Sequence, residues 1–63
     1  MEQEKTAQQW YEIGNKFRKK GIFGEAINAY NKSVMLDPNS PAKVSIEILN
    51  EILAYRNTDL INP

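Results

Sequence analysis

The sequence predicts an all-α fold: an antiparallel helix hairpin followed by a third helix. Three observations predict it. Apolar residues recur at spacings of three and four over two consecutive stretches, Trp10 to Phe17 and Phe23 to Val34. A link of about two residues around Gly21 joins them, short enough to force an antiparallel return. Pro38 and then Asn39-Ser40-Pro41 read as the end of one helix and the beginning of another.

The first helix is expected over residues 4–20. Trp10, Ile13, Gly14 and Phe17 share one face. Glu2 and Glu4 stand at its start, while Lys16, Arg18, Lys19 and Lys20 stand at its end, an order that complements the helix dipole. Thr6 is the candidate N-cap, and Gly21 ends the helix as a glycine at the C′ position.

The second helix is expected from Phe23 to Leu36, with Phe23, Ala26, Ile27, Tyr30, Ser33 and Val34 as its repeating face. Pro38 closes it, because the residue before a proline is pushed out of helical geometry. Ser40 is the N-cap of the third helix and Pro41 its first residue, with the helix running over 41–56 and a tail at 57–63. Asn57-Thr58-Asp59 reads as a turn, after which Leu60 and Ile61 fold back or fray. The apolar residues Val44, Ile46, Ile48, Leu49, Ile52, Leu53 and Tyr55 cover more than one stripe of this helix. It should therefore touch the hairpin on one side and something else on another.

Size and composition narrow the function. A chain of 63 residues forms one domain, 1–63, and a domain so small buries only about 60% of its unfolded surface. Small scaffolds lean on disulfides, metals, efficient helix packing or a partner. The chain has no cysteine and no histidine, which removes disulfides, thiolate sites and imidazole metal sites. Eight basic and eight acidic residues cancel, so no global field draws the chain to nucleic acid or an anionic membrane. No apolar run approaches the ~20 residues of a membrane span, and MEQEKTAQQ is no secretory signal, so a cytoplasmic location is expected.

Trp10, Ile13, Gly14 and Phe17, followed by Ala26, Tyr30, Ser33 and Pro38, resemble the signature of the tetratricopeptide repeat (TPR) family. Trp10, Gly14, Ala26 and Pro38 match by identity, and the other four are close chemical substitutes. The resemblance covers residues 7–40 and implies a right-handed alpha-alpha superhelix type of fold. Gly14 and Ala26 would let the two helices approach closely, with Trp10, Phe17 and Tyr30 filling the remaining volume. A further repeat beginning near Pro41 fails, since Val44 takes the tryptophan position and Glu47 and Glu51 take large apolar ones. The third helix resembles instead a capping helix, although an aliphatic one.

The resemblance implies a protein or peptide partner on the concave side of the first helix, where Gln8, Tyr11, Asn15, Arg18 and Lys19 lie beside the packing stripe. Asn15 matches the asparagine with which chaperone-binding members hold a peptide carboxylate, but Tyr11 occupies the place of the companion lysine. Read from the residues alone, Tyr11 is a helix-edge tyrosine, Asn15 a solvated residue and the Lys16–Lys20 cluster a solvated helix end. On the third helix, Ile46, Ile52 and Tyr55 are the candidate patch for a homodimer or partner. One fully packed core hiding Val44, Ile48, Leu49, Ile52 and Leu53 is the competing reading.

Catalysis has no foothold: there is no glycine-rich phosphate loop or nucleophile motif, no cofactor is implied, and so small a chain has no volume for a water-excluded cleft. A helix-turn-helix nucleic-acid binder is the alternative from another class. Its recognition helix would have to come from Asn28, Asn31 and Lys32, or from Lys43, Asn50 and Arg56 among glutamates, whereas the densest basic cluster lies on the first helix. The reading is a non-enzymatic protein-interaction module. Solenoid units normally need about three copies to bury a continuous core. A lone repeat therefore calls for a partner, a second copy or the remainder of a longer chain.

Overall fold

The computed structural model describes residues 5–61, with side chains placed through Tyr55. Three helices follow one another: α1 (Ala7–Lys19), α2 (Phe23–Leu36) and α3 (Ala42–Ile61). Helices α1 and α2 form the hairpin, and α3 packs mainly against α2.

Each boundary has a local cause. The Thr6 side chain accepts from the Gln9 backbone N–H while the Gln9 side chain accepts from the Thr6 N–H, so a capping box opens α1. This sets the start three residues later than the sequence reading of 4–20; Glu2 and Glu4 lie outside the described residues. At the other end Gly21 takes φ +80°, a left-handed conformation open to glycine at no steric cost. The Gly21 N–H bonds the Arg18 carbonyl and the Ile22 N–H reaches back to Phe17, the two bonds of a Schellman turn. Helix α2 has the expected bounds. Its C-terminal turn continues through Asp37, whose carboxylate accepts from the Asn39 N–H at 3.0 Å and whose carbonyl accepts from the Ser40 N–H at 2.9 Å.

Ser40 then caps α3 by accepting the Ala42 N–H at 3.1 Å, with Pro41 in the turn just before the first helical residue. Helix α3 departs from expectation at its far end. It continues to Ile61, through the Asn57-Thr58-Asp59 segment read as a turn and through Leu60 and Ile61 read as a returning tail. The physical reason is that no glycine or proline interrupts 42–61, and the modest helix propensity of Asn, Thr and Asp is too small a penalty to stop a helix under way. At 1.5 Å per residue, α3 is about 30 Å long against about 20 Å for each hairpin helix, so its second half outruns them.

The core is small: Ala26, Tyr30, Ala42 and Leu49 are buried, and Tyr11, Phe17, Phe23, Ile27, Val34 and Ile46 pack against them. Phe17 alone among them also borders the side of the hairpin away from α3. That arrangement leaves two apolar surfaces outside the core, one on the hairpin and one on α3.

Candidate functional site

The contact between α1 and α2 is built around Gly14 and Tyr30. A Cβ placed on Gly14 would lie 2.5 Å from both Cδ1 and Cε1 of Tyr30, so the missing side chain makes room for an aromatic ring. Tyr30 is completely buried, and its ring meets that of Tyr11 with centroids 5.9 Å apart. The Tyr30 hydroxyl donates to Asn15 Oδ1. Burial pushes this hydroxyl above the ordinary tyrosine range, and the Tyr11 hydroxyl adds to the rise, while the Arg18 guanidinium and the Ser45 hydroxyl pull it back.

A second polar contact ties all three helices together. Ser33 Oγ donates to the Ala7 carbonyl at 2.7 Å, and Ser33 and Ser40 hydroxyls lie 2.7 Å apart. The direction follows by elimination: the single Ser33 proton goes to a carbonyl that can only accept, so Ser40 donates to Ser33. Ser40 in turn accepts the Ala42 N–H. A relay thus runs from the first turn of α3 through α2 to the first turn of α1. Among the described residues, no buried side-chain nitrogen or oxygen lacks a partner.

These contacts redistribute the residues expected on the concave side. Gln8 is exposed and donates from Nε2 to Glu12 at 3.1 Å; Arg18 and Lys19 are exposed as well. Tyr11 and Asn15 are half-buried and are engaged by Tyr30, one through its ring and the other through its hydroxyl. Asn15, the one residue matching a carboxylate-holding asparagine, therefore has its amide oxygen committed inside the domain.

The opposite side of the hairpin is open. Trp10, Ile13 and Phe17 of α1 and Ala29, Lys32 and Met35 of α2 line a groove of about 480 Å³, with Glu25 near one end. Trp10 was expected to fill the core; it is half-buried in this groove, on the side of the hairpin away from α3. Gly14 is filled by Tyr30, which leaves no place there for a second large ring. Two cations cover the indole face instead: Lys32 Nζ lies 5.2 Å and Lys5 Nζ 5.3 Å from its centroid.

A family model describing the tetratricopeptide repeat matches residues 7–40, just over half of the 63 residues, and ends at Ser40 where the hairpin hands over to α3. The chain belongs to the tetratricopeptide repeat family. No curated protein and no solved structure matches it significantly. TPR repeats mediate contacts between proteins and are generally not catalytic, and this chain is a TPR interaction module in that general sense. Among the described residues, no helix is long and apolar enough to cross a membrane.

Within the TPR signature, the structure brings Gly14, Ala26, Tyr30 and Ser33 together at the buried centre, with Phe17 packed against it. Trp10 and Ile13 line the open groove, and Pro38 is exposed in the turn after α2. Tyr30 and Ser33, which stand where the family pattern has Phe and Ala, supply two of the three buried hydroxyls among the described residues, and Ser40 supplies the third. A reading of the sequence treated Tyr30 and Ser33 as near equivalents and missed their bonds. The signal was available, since a hydroxyl on a helix's apolar face must find a partner.

On α3, Ala42, Ile46, Leu49 and Leu53 fall at i, i+4, i+7 and i+11 and turn toward the hairpin. Ile46 was expected in an outward patch and belongs instead to this inward set. The outward set is Val44, Ile48, Ile52 and Tyr55, also at i, i+4, i+8 and i+11, and all four are exposed, Val44 to 58% and Tyr55 to 72%. A single closed core hiding Val44, Ile48 and Ile52 is thereby overturned. One hairpin is too narrow to cover both stripes of the helix.

Proposed function

We propose that this TPR module is a non-catalytic docking unit that self-associates through α3. The observation carrying this reading is the continuous outward stripe of Val44, Ile48, Ile52 and Tyr55. Isolated exposed apolar residues are ordinary on protein surfaces, but four of them aligned over three turns form a patch of the kind that marks an interface. The small core adds support, since a domain of this size gains stability from a partner subunit.

Binding of an extended peptide along Gln8, Tyr11, Asn15, Arg18 and Lys19 has less support, because Tyr30 engages the two central residues of that set. A nucleic-acid function has less support again. The basic cluster Lys16, Arg18 and Lys19 occupies the last turn of α1, where it complements the helix dipole, and α3 carries Glu47 and Glu51 in its exposed stretch.

Sedimentation equilibrium across micromolar concentrations tests the reading. A mass rising above 7.2 kDa with concentration is expected, and Ile48→Glu should return it to the monomer value without loss of helix content. A mass fixed at 7.2 kDa throughout that range would overturn self-association.

A further inference from the structure

We propose that the surface receiving α3 is the Trp10–Met35 groove of a second copy, so that copies associate head to tail. This rests on the self-association reading above and adds its counter-surface. The two surfaces differ in charge in a complementary way. The groove is apolar at its floor, through Trp10, Ile13, Phe17 and Ala29, and carries the ammonium groups of Lys5 and Lys32 over its tryptophan. The outward stripe of α3 is apolar along its centre and bordered on one edge by Lys43, Glu47 and Glu51, each one turn apart and all exposed, so that edge is acidic beyond its first turn. Seating the stripe in the groove brings carboxylates to ammonium groups over a buried aromatic ring. Glu25, the one acidic residue lining the groove, is at the opposite end of α2 from Met35 and leaves the Trp10 end cationic.

Pairing of α3 with its own copy is less favourable on the same grounds. In an antiparallel two-fold pair, like edges of the two helices meet, and with the dyad at the middle of the stripe, near Leu49, Glu47 of each copy would face Glu51 of the other. The position of the two surfaces also decides the symmetry. On α2 the groove residues Ala29 and Lys32 lie about 140–160° round the helix from Ile27 and Val34, which pack on the core, at an advance of about 100° per residue. The groove and α3 are therefore on opposite sides of the hairpin. A contact joining them is heterologous, and it leaves a free groove at one end of the assembly and a free α3 at the other. Association does not stop at two copies.

The decisive experiment uses two full-length variants altered at exposed positions, so that each keeps its fold. Ile48→Glu spoils the helix and leaves the groove intact; Lys32→Glu combined with Met35→Glu spoils the groove and leaves α3 intact. Circular dichroism and thermal melting of each verify the fold. The wild type should grow past twice 7.2 kDa as concentration rises, and each variant alone should need at least about ten-fold higher concentration to associate. Mixed together, the variants should form a one-to-one complex that grows no further, because each supplies the half the other lacks. If the groove variant associates as strongly as wild type and the mixture forms no such complex, the groove assignment is overturned while self-association through α3 stands. If the wild type is monomeric throughout, both readings fall.

Discussion

The two faces of the α1–α2 hairpin present a controlled comparison within one molecule. Both are apolar and both carry large aromatic rings, yet the Tyr30 face is sealed by α3 and the Trp10 face is not. On the sealed face the polar atoms are organised as well: a hydroxyl on Asn15, and a serine relay binding three helices. On the open face the aromatic ring meets solvent and the ammonium groups of two lysines. The difference teaches that apolar periodicity marks a helix's capacity to bury a face, whereas a neighbour of the right length and position decides which face is buried.

The comparison is tested most severely by deleting each ring. Tyr30→Ala should cost about 3–5 kcal/mol, enough to unfold a domain this small, whereas Trp10→Ala should cost clearly less because part of its ring is already solvated. Equal losses in chemical denaturation would erase the distinction between the faces. Gly14→Val comes next, with an expected loss of about 1–3 kcal/mol, because its Cβ would enter the Tyr30 ring. Gly24→Ala in α2 meets nothing within 4 Å and should instead raise the melting temperature by a few degrees.

Ser33→Ala restores the residue type of the family pattern and should nonetheless destabilise this chain by about 1 kcal/mol, since the Ala7 carbonyl loses its donor and Ser40 its acceptor. An unchanged melting temperature would show the relay to be energetically idle. The smallest effect concerns pH. Burial favours the neutral Tyr30 hydroxyl, so the folded chain retains a proton that the unfolded chain releases near pH 10. The Tyr30 contribution is therefore intact below about pH 10 and declines as the pH rises beyond it. Denaturation curves from about pH 8 to 11 should show that decline, with a shallower slope in Tyr30→Phe.

Local signals were legible in the sequence. Thr6, Gly21, Pro38 and Ser40 act within a few residues of themselves, and α2 begins and ends where its pattern indicated. The allocation of side chains to faces was less legible where a helix is apolar over a broad arc. Ile46 and Ile48 are two positions apart and chemically identical, yet one packs on the core and the other faces outward, because the rotational setting of α3 is fixed by Ser40 and the width of the hairpin. The position of Trp10 was hidden for a related reason: Gly14 accommodates one ring, and the sequence offered three candidates. Of the expected concave set, Gln8, Arg18 and Lys19 are open to solvent, while the Tyr30 hydroxyl that engages Asn15 has no counterpart in the family's phenylalanine.

The serine relay has a consequence for how motion is shared. Ser40 spends its proton on Ser33 and its lone pair on Ala42, so fraying of the third helix's opening turn deprives Ser33 of a donor in the same event. Ser33 in turn holds the Ala7 carbonyl at 2.7 Å, so the three helices are joined at one spot. A force applied to α3 by a bound neighbour thus reaches the first turn of α1 through two contacts of 2.7 Å each, beside the indole that would meet the next copy.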